Sequence, residues 1–295
     1  MNRRLAIAGV VLVLSFSAAI SYATAAAQPS QPTRFTVEVQ GSGPAVILIP
    51  GLACSRAVYQ QEAAKLTAHY RLYLVQINGF AGAPADANAS GPLLAPVTAE
   101  LAQYIEANHI EKPAIIGHSL GGLLGLMLAA DHPGDVGRLM VVDAFPFFPA
   151  AFNPTATPEQ FAPQAAAMRQ KIISESDAEF ARSEAAALSR MVMSPPNLKL
   201  VTGWALASDR SVVAQAMYDD MTTDMRPKLA DIHAPVTVLY PWNRGMGLRR
   251  WDDNLYQSAY ATARNAWLVR IDNSRHFIML DQPQAFDAAV RQFLQ

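Results

Sequence analysis

The sequence predicts an α/β fold, with a mostly parallel central sheet flanked by helices and interrupted by a helical insertion. Short apolar runs of buried-strand type alternate with longer helical patterns, the rhythm of strands joined by right-handed crossover helices. That rhythm stops at Ala144 and resumes at Pro235. The segment between them, 144–233, is rich in Ala and Met, and at roughly 90 residues it is too long for an ordinary loop.

The elements follow in order. Residues 28–32 form a Gln/Pro/Ser linker. Phe35, Val37 and Val39 then alternate with polar residues as a strand, GSGP marks a turn, and 45–49 is a second, buried-type strand. A helix containing Ala57, Tyr59 and Leu66 comes next, followed by a strand over 71–77, a helix over 96–108 and a short buried strand over 113–116. Residues 123–131 are helical and 138–143 form a strand. Inside the insertion, helices are predicted near 159–173, 176–193, 198–207 and 210–220. Strands return at 235–240 and 267–271, and a helix over 285–294 closes the chain. One core domain, 33–143 and 234–295, therefore surrounds a helical lid, 144–233, expected to cover its top.

At the amino end, Arg3 and Arg4 precede an uncharged run over 5–20 and then small residues that fit A-x-A cleavage. This predicts a Sec-type signal peptide over 1–27, cut after Ala27 with Ala25 and Ala26 as near alternatives; an uncleaved anchor is the competing reading. Cleavage implies a periplasmic or secreted protein that meets a membrane only in transit. Cys54 is the single cysteine, so no intramolecular disulfide is possible even in an oxidising compartment. A formal net charge of -1 and 51% apolar residues give neither a nucleic-acid footprint nor a disorder signature. The partner class expected is a small molecule.

Chemistry concentrates at IIGHSLGG, residues 115–122. A G-x-S-x-G match alone is weak, but this one follows a predicted buried strand and opens a helix, the setting of a nucleophile elbow. Small neighbours let strand and helix approach while the Ser119 hydroxyl projects at the sheet's carboxyl edge. A serine needs an adjacent base. His276, between the last strand and the last helix, returns to that edge; His118 reads as structural, and His69, His109, His132 and His233 lie near helix ends or connections. Acyl transfer also needs oxyanion donors, for which the N–H groups of Leu120 and of Leu52, after Gly51, are the candidates. Cys54 reads as a small packed side chain, because no basic partner or CxxC accompanies it. No metal-ligand spacing, phosphate loop or dinucleotide fingerprint appears, so neither a metal nor another cofactor is implied.

Taken together, IPGLACS, IIGHSLGG, DHPGDVGRLMVVDA, PVTVLYPWN and RHFIMLDQPQAF resemble the α/β-hydrolase superfamily, specifically its lid-bearing, serine esterase-like members, over 33–295. The resemblance implies a Ser–His–acid triad, with the acid in the loop after the 235–240 strand. The matching position here is Asn243, and an amide cannot supply the charge that stabilises an imidazolium. Three alternatives stand: Asp143 at the end of the preceding strand, ranked first; Asp252 or Asp253; and a Ser–His dyad supported by Asn243. Phe145, Met193, Trp204, Met217 and Met221 are candidates for an adaptable apolar substrate pocket. The implied activity is that of an exported serine hydrolase acting on small apolar carboxylic esters or lactones. A C–C bond or amide hydrolase and a non-catalytic binding protein with a decayed triad are the alternatives.

Overall fold

The computed structural model describes residues 31–246 and 249–295, so the signal-peptide reading of 1–27 lies outside the described residues. The strands are β1 Phe35–Gln40, β2 Ala45–Ile49, β3 Arg71–Ile77, β4 Ala114–His118, β5 Arg138–Val142, β6 Val236–Trp242 and β7 Ala266–Asp272. They form one sheet in the order β1-β3-β2-β4-β5-β6-β7. Only β1 runs antiparallel, against β3; the pairings from β3 through β7 are parallel. A parallel sheet is covered on both faces, which is why β2, β4 and β5 read as continuous apolar runs and are buried almost throughout.

The helices are α1 Gln60–Leu66, α2 Leu94–Ala107, α3 Leu120–Asp131, α4 Pro158–Ser174, α5 Asp177–Leu188, α6 Pro195–Ala207, α7 Arg210–Thr222, α8 Arg249–Ala259, α9 Ile278–Asp281 and α10 Pro283–Leu294. α3 packs on β4 and β5, with α2 behind it. It is buried along ten of its residues, from Leu120 to Ala129, which is why its sequence has no polar face to read.

Two expectations need correction. The helix predicted over 176–193 ends at Leu188. Its start is fixed by a capping box between Ser176 and Glu179, but the next carbonyls are used elsewhere. Arg275 donates to Ser189 O and Val192 O, and Phe277 N–H donates to Met191 O. α8, in turn, was not predicted; it packs against β6 and β7.

Helices α4 to α7 fill the interval between β5 and β6. α7 is tied down at both ends. Asp209 N–H donates to Gly79 O after β3, and Met225 N–H donates to Pro146 O after β5, each at 2.7 Å. In its last turn, the Asp219 carboxylate accepts from the Leu93 and Leu94 amides at 2.6 and 3.1 Å, which satisfies donors that the start of α2 leaves unpaired.

Candidate active site

Ser119 sits between β4 and α3 with φ 52 and ψ -121. A non-glycine residue at positive φ is strained by about 1–3 kcal/mol and persists only where its surroundings hold it. Here Ser119 N–H donates to Val142 O at 2.9 Å, while Ser119 O accepts from Gly122 and Leu123. The glycines answer to crowding: a Cβ on Gly117 would lie 2.2 Å from Gly121 O, and one on Gly121 would lie 2.3 Å from Ile49 O. Larger residues would force strand and helix apart and the turn would open.

The loop after β2 closes over the same point. A Cβ on Gly51 would come within 3.1 Å of Ser119 Cβ and 3.0 Å of His118 Nδ1. Neither the Leu52 N–H in this loop nor the Leu120 N–H at the start of α3 has a hydrogen-bond partner among the described residues. Leu120 is only 2% exposed, and a buried amide without a partner is uncommon.

His276 lies on the loop between β7 and α9, and its Nδ1 is 2.7 Å from Asp143 Oδ2. Asp143 follows β5 at φ 47. Its other oxygen, Oδ1, accepts from the Tyr256 hydroxyl of α8. Burial, then the adjacent Asp143 charge, holds the Tyr256 phenol well above its ordinary range, so it stays protonated and donates. Tyr260, just past the end of α8, donates to Ala144 O at 2.8 Å. With Nδ1 engaged, Nε2 is the His276 nitrogen left for chemistry. Among the described residues Ser119 Oγ makes no hydrogen bond; such contacts often tighten only when substrate is bound.

His118 points away from this work. It is buried, its Nε2 meets His276 O at 3.1 Å, and its ring lies 4.5 Å from that of His276. Burial, then His276, pushes it well below the ordinary histidine range. It is a neutral prop that ties the His276 loop to the end of β4, next to Ser119. Cys54 is buried, and burial pushes its thiol up to about 12, so it carries little thiolate at neutral pH.

The other acid candidates are engaged differently. Asn243 donates from Nδ2 to Ser274 O and accepts from Gly245 N–H, both at 2.9 Å. Asp253 pairs with Arg270 at 2.8 Å and accepts from Tyr240. Asp252 has one carboxylate oxygen buried without a partner, and burial, then Asp253 and Asp143, raises its carboxyl above the usual range. None of the three makes a hydrogen bond to His276 among the described residues.

The pocket candidates divide. Phe145 stacks on Tyr256 at 4.6 Å, Trp204 packs on the main core, Met221 is buried and Met217 half-buried. Met193 is 48% exposed, and its N–H donates to Asp281 at 2.9 Å.

Tyr256 at this site escaped the sequence reading. It belongs to the unpredicted helix; the i, i+4 spacing of Tyr256 and Tyr260 was the available signal.

A family model described as the alpha/beta hydrolase family matches residues 46–289. The chain belongs to that family. It is 37% identical over 101 residues to a Yersinia enterocolitica protein named as a carbamate hydrolase, RutD, covering 34% of this chain and 36% of that one. It is 35% identical over 114 residues to the pimeloyl-[acyl-carrier protein] methyl ester esterase of Vibrio vulnificus, covering 38% and 42%. The chain thus spans well under half the length of these curated relatives. An esterase from Exiguobacterium antarcticum superposes with TM-score 0.74 at 15% identity, covering 90% of this chain and 97% of that one, a likeness of fold.

Proposed function

We propose that the chain is an exported serine hydrolase that cleaves small, largely apolar carboxylic esters or lactones through an acyl-enzyme. The observation that carries this is the pairing of His276 Nδ1 with Asp143 at 2.7 Å, on loops that flank a strained Ser119 and two unpaired amides. Ser119 Oγ attacks the carbonyl carbon while His276 Nε2 takes its proton. The resulting oxyanion is held by the Leu52 and Leu120 N–H groups. Collapse expels the alkoxide, which leaves as the alcohol with the proton from His276. Water then repeats the sequence on the acyl-enzyme and releases the acid. Asp143 fixes the His276 tautomer and stabilises the imidazolium, and Tyr256 holds Asp143. Helices α4 to α7 act as a lid whose apolar side chains shape the acyl pocket. Export rests on the leader-like residues 1–27.

The likeness to a protein named as a carbamate hydrolase favours one second reading, hydrolysis of a C–N acyl bond by the same groups. The Asp143–His276 contact removes the missing-acid argument for a non-catalytic binder. The test is hydrolysis of p-nitrophenyl acetate, butyrate and octanoate, with simple carbamates alongside, by the mature chain and by Ser119→Ala. Saturable turnover lost in Ser119→Ala is the expected result. Turnover that survives the substitution, or none together with no labelling of Ser119 by a fluorophosphonate, refutes the reading.

A further inference from the structure

Both neighbours of His276 are bonded to a segment far away in the chain. α5 ends at Leu188 and α6 begins at Pro195. Between them, Ser189 O and Val192 O each accept from Arg275 Nη1 at 2.8 Å, and Met191 O accepts from Phe277 N–H at 3.2 Å. The sequence leaves two of these carbonyls for that use. Pro195 and Pro196 have no N–H, so α6 cannot take up Met191 O or Val192 O, the carbonyls four residues before them. Val192 is buried in the main core, which makes the segment a fixed support.

Asp281 closes the arrangement from the other side. Its Oδ2 accepts from Arg275 N–H and its Oδ1 from Met193 N–H, each at 2.9 Å. One carboxylate thus joins the backbone beside His276 to the backbone of the insertion. Asn197 of α6 adds a donor to Leu280 O at 3.0 Å. The core grips the same loop at other points, where Asn243 holds Ser274 O and His118 holds His276 O. The amides on either side of His276 are answered elsewhere, by Asp281 and by Met191 O.

We propose that Arg275 and Asp281 are positioning residues for the base. By fastening the His276 loop to residues 189–193, they hold the imidazole where Nδ1 meets Asp143 and Nε2 is left for Ser119. Both act through His276. This role rests on the hydrolase reading and deepens it, because the insertion then carries part of the catalytic geometry. Its corner at 189–193 cannot lift without unseating the base, and a misplacement of about 1 Å costs roughly 10²-fold in rate.

The test compares kcat and KM on p-nitrophenyl butyrate for the mature chain, Asp281→Ala, Arg275→Met and Arg275→Lys, each well below its melting temperature. Asp281→Ala and Arg275→Met should each lower kcat about tenfold to a hundredfold. KM should stay within about threefold, because His276 serves both formation and hydrolysis of the acyl-enzyme, and slowing both alike leaves KM unchanged. Arg275→Lys should recover most of the Arg275→Met loss, since an ammonium can still donate to two carbonyls. The proton between His276 Nδ1 and Asp143 supplies a readout without turnover: a far-downfield NMR signal, identified by its absence in His276→Gln. That signal should broaden or move upfield in Asp281→Ala and Arg275→Met. Variants that only melt earlier, with kcat and the signal unchanged, overturn the proposal, and either variant suffices if the other does not fold. A loss that Arg275→Lys does not restore removes Arg275 from it. If the unsubstituted chain hydrolyses no ester, the hydrolase reading fails and the His276 signal alone decides the positioning role.

Discussion

The loops after β5 and β6 stand side by side at the carboxyl edge of the sheet, and each offers a polar residue to the same histidine segment. After β5, Asp143 meets the His276 ring and is held by Tyr256. After β6, Asn243 meets the backbone, donating to Ser274 O two residues before His276. One loop holds the imidazole and the other holds the chain that presents it. A buried amide suits the second task, because it donates to a carbonyl and accepts from an N–H at once, whereas a carboxylate can only accept. The amide at 243 is thus explained by its own hydrogen bonds, and the negative charge has moved one strand along.

The division of labour is broken most directly by Asp143→Asn. The side chain keeps its shape and loses its charge, and kcat on the neutral esters should fall about 10⁴-fold. Loss of less than about tenfold would mean that Asp143 is not the acid. The double change Asp143→Asn with Asn243→Asp should remain near the single variant, because the side chain at 243 is directed to Ser274 O. Recovery of activity would show that the two loops are interchangeable.

Tyr256→Phe probes the support of the acid. It removes one of two hydrogen bonds to Asp143 and leaves the stacking on Phe145 and Tyr240 in place. A hydrogen bond to a charged group is worth about 1.5–3 kcal/mol, so kcat/KM should fall by about tenfold or somewhat more. An unchanged value would make Tyr256 a packing residue only.

Asn243→Asp alone reads the other loop. It sets a carboxylate oxygen against Ser274 O in a buried place and should cost about 2 kcal/mol, a fall in Tm of roughly 4–8 °C, at neutral pH. The loss should shrink as pH drops and the new carboxyl takes a proton, because the protonated acid donates to Ser274 O again. A thermal melt at two pH values checks both parts.

What the sequence made legible follows from which constraints are local. Ser119 could be read because a turn this tight admits only small neighbours, and His276 because it falls between the last strand and the last helix. Leu52 and Leu120 followed from their places beside Gly51 and Ser119. The choice among Asp143, Asp252, Asp253 and Asn243 stayed open, because it depends on strand order and on α8. That helix was missed for its polar sequence: it packs on β6 and β7 with few apolar residues, Tyr256 among them. The helix over 176–193 was drawn too long because Arg275 and Phe277, far along the chain, claim its last carbonyls.

Asp253→Asn carries the smallest expected effect and closes the question of whether the β6 side supplies any charge to catalysis. Asp253 and Arg270 pair at 2.8 Å with both side chains about a quarter exposed, so solvent screens the pair and its worth is about 0.5–1 kcal/mol. Asparagine keeps an oxygen for the Tyr240 hydroxyl, so that hydrogen bond survives the change. The expected outcome is kcat/KM within about twofold of the unsubstituted chain and a Tm lower by about 2–3 °C. Raised salt should narrow the Tm gap, because the pair it removes is one that salt already weakens. A drop in kcat of a hundredfold or more, with folding intact, would instead return the acid to the β6 side and undo the contrast between the two loops.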